Sequence, residues 1–179
     1  MLWEVFTSRA TGLGTRPTSG CNEDFDMDGS DNKAFQEVDD LAFFNSVALF
    51  RDVPPDELRM IVAMATTERF AKGEIVLFEG EATNDLLIVR AGKVEVYVLR
   101  AEHKIHITEL GPTSYFGEMS VFDDYPRSAN VVAVSDVLAY RIDRDSFRAF
   151  LRSNPAALFQ MCTVFSHRLR NTNSALAKH

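Results

Sequence analysis

The residues best suited to chemistry fall in one stretch, Tyr115-Phe116-Gly117-Glu118-Met119-Ser120-Val121-Phe122-Asp123-Asp124-Tyr125-Pro126-Arg127-Ser128-Ala129. A glycine, a carboxylate one residue later and an arginine nine residues after that carboxylate are followed by two small residues. Arg127 offers a planar, permanently charged fork that matches phosphate oxygens better than a lysine does. Ser128 and Ala129 add backbone N–H groups without bulk, and Ser128 adds a hydroxyl. Gly117 lets backbone come close to a bound group, and the N–H groups of Glu118, Met119 and Ser120 can open a helical turn toward an anion. The Glu118 carboxylate would repel that anion, but it accepts a hydrogen bond from a hydroxyl. The stretch therefore suits a ligand with a phosphate at one end and a free hydroxyl at the other.

Those residues need a frame, and the hydrophobic period supplies it. Phe43, Phe44, Val47 and Phe50 form a short helical stripe. Pro54-Pro55-Asp56-Glu57 then opens a second helix whose buried face is Leu58, Ile61, Val62 and Met64. Between Thr66 and Asp143 the period becomes two. β-rich runs at 67–71, 74–78, 85–90, 93–99, 104–110 and 130–142, punctuated by Gly73, Gly80, Gly92 and Gly111-Pro112, predict an antiparallel roll or sandwich. Asp143 or Asp145 is expected to cap a short helix through Leu151. Asn154-Pro155 starts a final helix that reaches into the 170s. Along it Leu158, Cys162, Phe165, Leu169, Thr172 and Leu176 are spaced 4, 3, 4, 3, 4, the heptad seam of a two-stranded coiled coil, so a homodimer through this helix is expected. The alternative is a helix packed on its own roll, with Met161 widening the apolar stripe.

Over roughly residues 42–175 the chain resembles the cyclic-nucleotide-binding domain family. Phe116-Gly117-Glu118 followed by Arg127-Ser128-Ala129 is similar to that family's phosphate-binding cassette. Leu49-Phe50 before Pro54-Pro55, Lys72-Gly73-Glu74, Phe78-Glu79-Gly80-Glu81 and Ala91-Gly92-Lys93-Val94 match further landmarks. The resemblance implies a mainly β fold with flanking helices, an antiparallel β jelly roll (double-stranded β-helix) with N-terminal helices and a long C-terminal helix. It implies Glu118 on the ribose 2′-hydroxyl and Arg127 on the cyclic phosphate, within a site of Phe116, Gly117, Glu118, Met119, Ser120, Arg127, Ser128 and Ala129. The stretch Arg168-Leu169-Arg170-Asn171-Thr172-Asn173 is similar to the part of the catabolite-activator branch that meets the base, which puts Thr172 and Asn173 over the purine. The implied ligand is cAMP, with cGMP open because Ser128 can serve either purine. The implied role is a non-enzymatic regulatory sensor whose ligand moves the C-terminal helix, and the alternative is the same fold with a degenerate or different site acting as an interaction or dimerisation module. Thr83 and Asn84 stand where many relatives have Gly-Asp, a departure expected to affect a turn rather than the site. Asp123 and Asp124 are assigned to a solvated loop. The sequence ends at His179, before any helix-turn-helix pattern.

Composition narrows the alternatives. In 179 residues, 46% hydrophobic with 14 Phe, there is material for one packed domain, expected over 41–179 with its C-terminal helix at 155–177. Residues 1–40 hold nine acids against three bases, a net of −6 within the chain's −7, and read as an acidic, flexible leader. The acidity argues against a nucleic-acid partner. No apolar run approaches the roughly 18 residues of a membrane span, and no signal peptide is recognisable. Ser19-Gly20-Cys21 lacks the preceding apolar segment of a lipidation site. Two cysteines, Cys21 and Cys162, make no disulfide framework, in keeping with the cytoplasm. Asp24-Phe25-Asp26-Met27-Asp28-Gly29 imitates a calcium loop, but Phe35 stands where the bidentate Glu belongs, so no metal is expected. His103 and His106, three apart, point to opposite faces of a strand and do not form the ligand set of a cupin-type metalloenzyme. No effector protein is named by any pattern in the chain.

Overall fold

The computed structural model describes residues 39–176 apart from Glu102 and Asp124, with side chains described as far as Arg170. The leader before residue 39 and the calcium-like run lie outside the described residues. Three short helical segments come first: α1 over 39–46, a 3₁₀ turn at Ala48–Phe50 and α2 at Pro55–Met64. Pro55 opens α2 with Asp56 and Glu57 in the first turn, where missing N–H partners and acidic side chains are both tolerated. Eight strands follow, β1 Thr66–Phe70, β2 Ile75–Leu77, β3 Leu86–Ala91, β4 Val94–Arg100, β5 His103–Leu110, β6 Tyr115–Phe116, β7 Asn130–Ala133 and β8 Val137–Ile142. The one-turn helix α3, Met119–Phe122, sits between β6 and β7, and α4 Arg144–Ser153 and α5 Pro155–Leu176 close the chain.

All strand pairs are antiparallel, in two four-stranded sheets of order β1-β8-β3-β6 and β2-β7-β4-β5. This is the jelly-roll arrangement. The run 130–142, expected as one strand, is two strands in different sheets, because the chain turns over Val134-Ser135-Asp136 and crosses between layers. β6 was not expected as a strand, since two residues are too short to show a period.

The alternation along β3 explains the layering. Leu87 and Val89 face the other sheet, in a core with Phe70, Val94, Phe116, Val131 and Val137. Leu86 and Ile88 face outward into a second core, against Phe44, Phe50, Ile61, Phe147, Phe150 and Met161 of the helices. One strand with both faces buried thus holds the roll and the helices together, as successive side chains on a strand point to opposite faces. Asp143 caps α4 by accepting from the Ser146 amide at 3.0 Å.

The turn that reverses β3 into β4 depends on Gly92. Its φ is +83°, and a Cβ there would lie 2.1 Å from the Asp136 carbonyl oxygen, which belongs to the β7–β8 crossover. Gly92→Ala is therefore expected to lose about 2 kcal/mol or more of stability, the sum of left-handed strain and a backbone clash. Urea unfolding checks this, and an unchanged midpoint would contradict it.

Candidate functional site

The cassette begins where β6 ends. β6 pairs with β3 through Leu87 to Phe116 and Ile88 to Tyr115, which anchors the start of the segment in the sheet. The Phe116 ring lies in the inter-sheet core, so this residue contributes the strand that leads into Gly117. Gly117 has φ +80°, and a Cβ there would sit 2.6 Å from Arg127 Nη1 and 2.8 Å from the Asp85 carbonyl oxygen. No side chain fits in that gap. α3 follows, with the Glu118 carbonyl accepting from the Val121 amide at 3.2 Å.

Arg127 is buried, 4% exposed, and its guanidinium is held by neutral acceptors. Nη1 donates to the Gly117 carbonyl at 2.9 Å, the Asp85 carbonyl at 2.9 Å and the Ser120 hydroxyl at 2.8 Å, and Nε donates to Thr83 Oγ1 at 2.8 Å. Its backbone is fixed as well. The Arg127 amide donates to the Glu81 carbonyl at 2.9 Å, and the Gly80 amide donates to the Arg127 carbonyl at 2.9 Å. Nη2 is buried and has no hydrogen-bond partner among the described residues. Burial pulls the Arg127 pKa down from its ordinary value, while the charges of Asp85 and Glu81 pull it back up. Among the described residues no carboxylate reaches ion-pair distance of this guanidinium, because Asp85 is engaged with Arg141 at 2.7 Å. A buried cation without a counter-ion is costly, and an anion against Nη2 removes that cost.

Glu118 is 2% exposed and makes an ion pair with Arg168, which reaches down from α5 and also donates to the Tyr115 carbonyl at 3.1 Å. Phe122, the last residue of α3, stacks edge-on against Phe165 of α5 with ring centroids 5.5 Å apart. Both ends of the one-turn helix therefore touch α5. On the open side, Ser128 is exposed and its hydroxyl lies 3.5 Å from the Met119 sulfur, with Ala129 half-buried beside it. Ser120 is buried, and its hydroxyl bonds the Gly117 carbonyl and Arg127 rather than facing outward. Asp123 ends α3 and is half-buried, while Asp124 lies outside the described residues. Thr172 and Asn173 are on α5, with side chains outside the described residues.

One sequence expectation needs correcting. Thr83, assigned to a turn away from the site, is the acceptor for Arg127 Nε, so the departure from Gly-Asp adds a hydroxyl directly behind the guanidinium. Arg168 and Asp85 were not singled out either, and only the fold brings them to the cassette from 50 residues after Glu118 and 42 before Arg127. Elsewhere, His103 and His106 are exposed, and His106 pairs with Glu95 at 3.1 Å. Among the described residues no group of three or more His, Cys, Asp or Glu is arranged to hold a metal, and no helix is long and apolar enough to cross a membrane.

Two stacked sheets carrying a glycine-cradled, buried arginine between β6 and β7 define a ligand-binding roll of the double-stranded β-helix kind. Residues 67–154 match the cyclic nucleotide-binding domain, and the chain belongs to that family. It is 32% identical over 130 residues, 72% of this chain and 58% of the relative, to a CRP-like cAMP-activated global transcriptional regulator of Mycobacterium tuberculosis. It is 35% identical over 108 residues, 59% of this chain and 14% of the relative, to cGMP-dependent protein kinase 2 of Homo sapiens. The catabolite activator protein of Thermus thermophilus superposes with a TM-score of 0.67 at 27% identity, over 73% of this chain and 62% of that one. The chain thus spans little more than half the length of the bacterial regulator it matches.

Replacing Thr83 by Val removes the acceptor for Arg127 Nε and leaves a second buried guanidinium nitrogen unpaired. A loss of about 1–3 kcal/mol in urea unfolding is expected, and a wild-type midpoint would mean that Thr83 carries no load.

Proposed function

We propose that the chain is a cAMP-binding regulatory sensor without enzymatic activity of its own, in which the cyclic phosphate is held by Arg127 and the ribose 2′-hydroxyl by Glu118. The observation that carries this reading is the buried Nη2 of Arg127, without a partner among the described residues, on a guanidinium whose Nη1 lies against Gly117. The phosphate supplies the missing acceptor and the missing negative charge in one group. Ser128 and Ala129, which follow Arg127 in the chain, receive the remaining phosphate oxygen through their backbone amides. Glu118 keeps acceptor capacity beside Arg168, because an ionised carboxylate has about four lone-pair sites. The purine is given to Thr172 and Asn173, about one helical turn beyond Arg168 on α5, on the resemblance of residues 168–173 to the base-meeting stretch of the catabolite-activator branch. cGMP is the second ligand to test, as one relative bears that nucleotide in its name.

The ligand then acts on α5. Glu118 is joined to Arg168 and Phe122 to Phe165, so an equilibrium between two positions of α5 is biased by a ligand that contacts cassette and helix together. α5 also supports the homodimer reading. Ala157 and Met161 are buried against the roll, whereas Leu158, Cys162 and Leu169 of the heptad seam are exposed, Leu169 at 63%. Phe165 of the seam packs inward on Phe122, and the outward Leu158, Cys162 and Leu169 are what a second α5 would cover. Location in the cytoplasm and an effector protein that reads α5 complete this reading.

Thermal unfolding with cAMP, cGMP and cyclic dinucleotides is the first test. A ligand that binds only the folded state raises the melting temperature, so cAMP is expected to raise it most. Arg127→Ala, losing a charged hydrogen bond worth roughly 1.5–3 kcal/mol, is expected to weaken cAMP binding by about ten- to a hundredfold in titration calorimetry. No stabilisation by any of the nucleotides would favour the alternative, an interaction module with a degenerate site. Sedimentation equilibrium tests the seam separately: the chain is expected to dimerise and Leu169→Glu to make it monomeric, whereas a monomeric wild type would contradict the dimer.

A further inference from the structure

The cassette helix α3 has only four residues, and a helix of that length does not stand on its own. Nucleating one turn fixes several backbone angles for a single hydrogen bond. The internal bonds here are long for backbone pairs, Val121 amide to Glu118 carbonyl at 3.2 Å and Asp123 amide to Met119 carbonyl at 3.2 Å. Its last carbonyls have no intrahelical partner to accept from. Val121 is fully buried, so a carbonyl left unpaired there would be expensive.

Two arginines of α4 take those carbonyls. Arg148 Nε donates to the Val121 carbonyl at 2.5 Å and its Nη2 to the Phe122 carbonyl at 2.9 Å, while Arg144 Nε donates to the Val121 carbonyl at 3.3 Å. The two are four residues apart and so share one face of α4. A cation at the carbonyl end of a helix is also favourable electrostatically. The adjoining face of α4 carries Phe147, Phe150 and Leu151 into the helix-side core, which makes α4 a firm support. α4 passes to α5 through Asn154 alone. That residue is buried, its side chain donates to the Phe150 carbonyl at 3.0 Å and its carbonyl accepts from the Leu158 amide at 3.1 Å, so the two helices are braced as one unit.

We propose that Arg148, assisted by Arg144, is a positioning residue that clamps the cassette helix to α4, so that a ligand-driven shift of the cassette is delivered to the α4–α5 unit. The relay rests on the reading that a cyclic nucleotide occupies the cassette, but the clamp itself does not. Arg148 touches backbone oxygens of α3, not the ligand, and acts through the helix that carries Glu118 and Ser120. Two donors in one planar fork suit two successive carbonyls, and a lysine at 148 would reach only one at a time. The direct contacts from Phe122 and Glu118 to α5 form one route to the C-terminal helix, and Arg148 forms the other.

The test uses the full chain with Cys21→Ser, Cys162→Ser and His167→Cys, the last carrying a fluorophore at an exposed position of α5 outside the heptad seam. Arg148→Ala and Arg148→Lys are compared with this parent in three readouts. The first is amide hydrogen exchange at Val121, Phe122 and Asp123 without ligand, the second the cAMP dissociation constant, and the third the fluorescence change that cAMP produces. The clamp predicts exchange at least tenfold faster in Arg148→Ala, with Arg148→Lys between it and the parent. The relay predicts weaker cAMP binding and a reduced fluorescence response in the same order. Parent-like exchange in a folded Arg148→Ala, or in Arg148→Lys should the alanine variant not fold, overturns the clamp. Faster exchange with an unchanged affinity and response overturns the relay. A parent that binds no cyclic nucleotide refutes the proposed function instead, and the exchange readout still decides the clamp.

Discussion

The structure turns on one buried guanidinium. Arg127 is removed from water on every side, yet its bonds are to two carbonyls and two hydroxyls rather than to a carboxylate, and one nitrogen is left over. A protein that buries a positive charge this way bears a desolvation cost that an ordinary structural ion pair would have offset. In the proposed function an anion offsets that cost at the remaining nitrogen. Every element near it can be understood as holding the fork still. The β2–β3 connection provides Glu81, Thr83 and Asp85, β6 brings Gly117, and α3 provides Ser120.

The roll keeps that arrangement rigid because it is packed on both sides. β3 sits between two apolar cores, and the connection that leads into it supplies Thr83 and Asp85 around Arg127. Asn130, at the start of β7, accepts from the Glu79 amide at 3.0 Å, tying the segment after the cassette to the loop that supports it. α3 is the exception. It is a single turn held from outside, by Arg127 and Arg168 at its first residues and by α4 arginines at its last.

Much of this was legible in the sequence, for reasons that can be given residue by residue. The cassette could be read because glycine, carboxylate, arginine and small residues each have a narrow use at that spacing. Asp143 and Asn154-Pro155 marked helix ends because caps are local, and the strand runs showed because alternation needs only a few residues. What could not be read depends on contacts between distant segments. Thr83 looks like any turn residue until Arg127 is seen to donate to it, and Arg144 and Arg148 look like a solvated helix face until α3 is seen beneath them. The division of 130–142 between two sheets leaves no mark in composition, since both halves are β-rich, and the crossover is enforced by Gly92 and Asp136 from opposite sides of the turn.

The central claim is that the free nitrogen of Arg127 is where the ligand's phosphate binds. Nitrogen-detected NMR of arginine guanidinium groups reads this directly. On saturation with cAMP, the Arg127 Nη2 resonance is expected to shift downfield, its rotation to slow, and a scalar coupling to the ligand phosphorus to appear. Saturating cAMP that leaves the Arg127 resonances where they were, without such a coupling, would contradict the account.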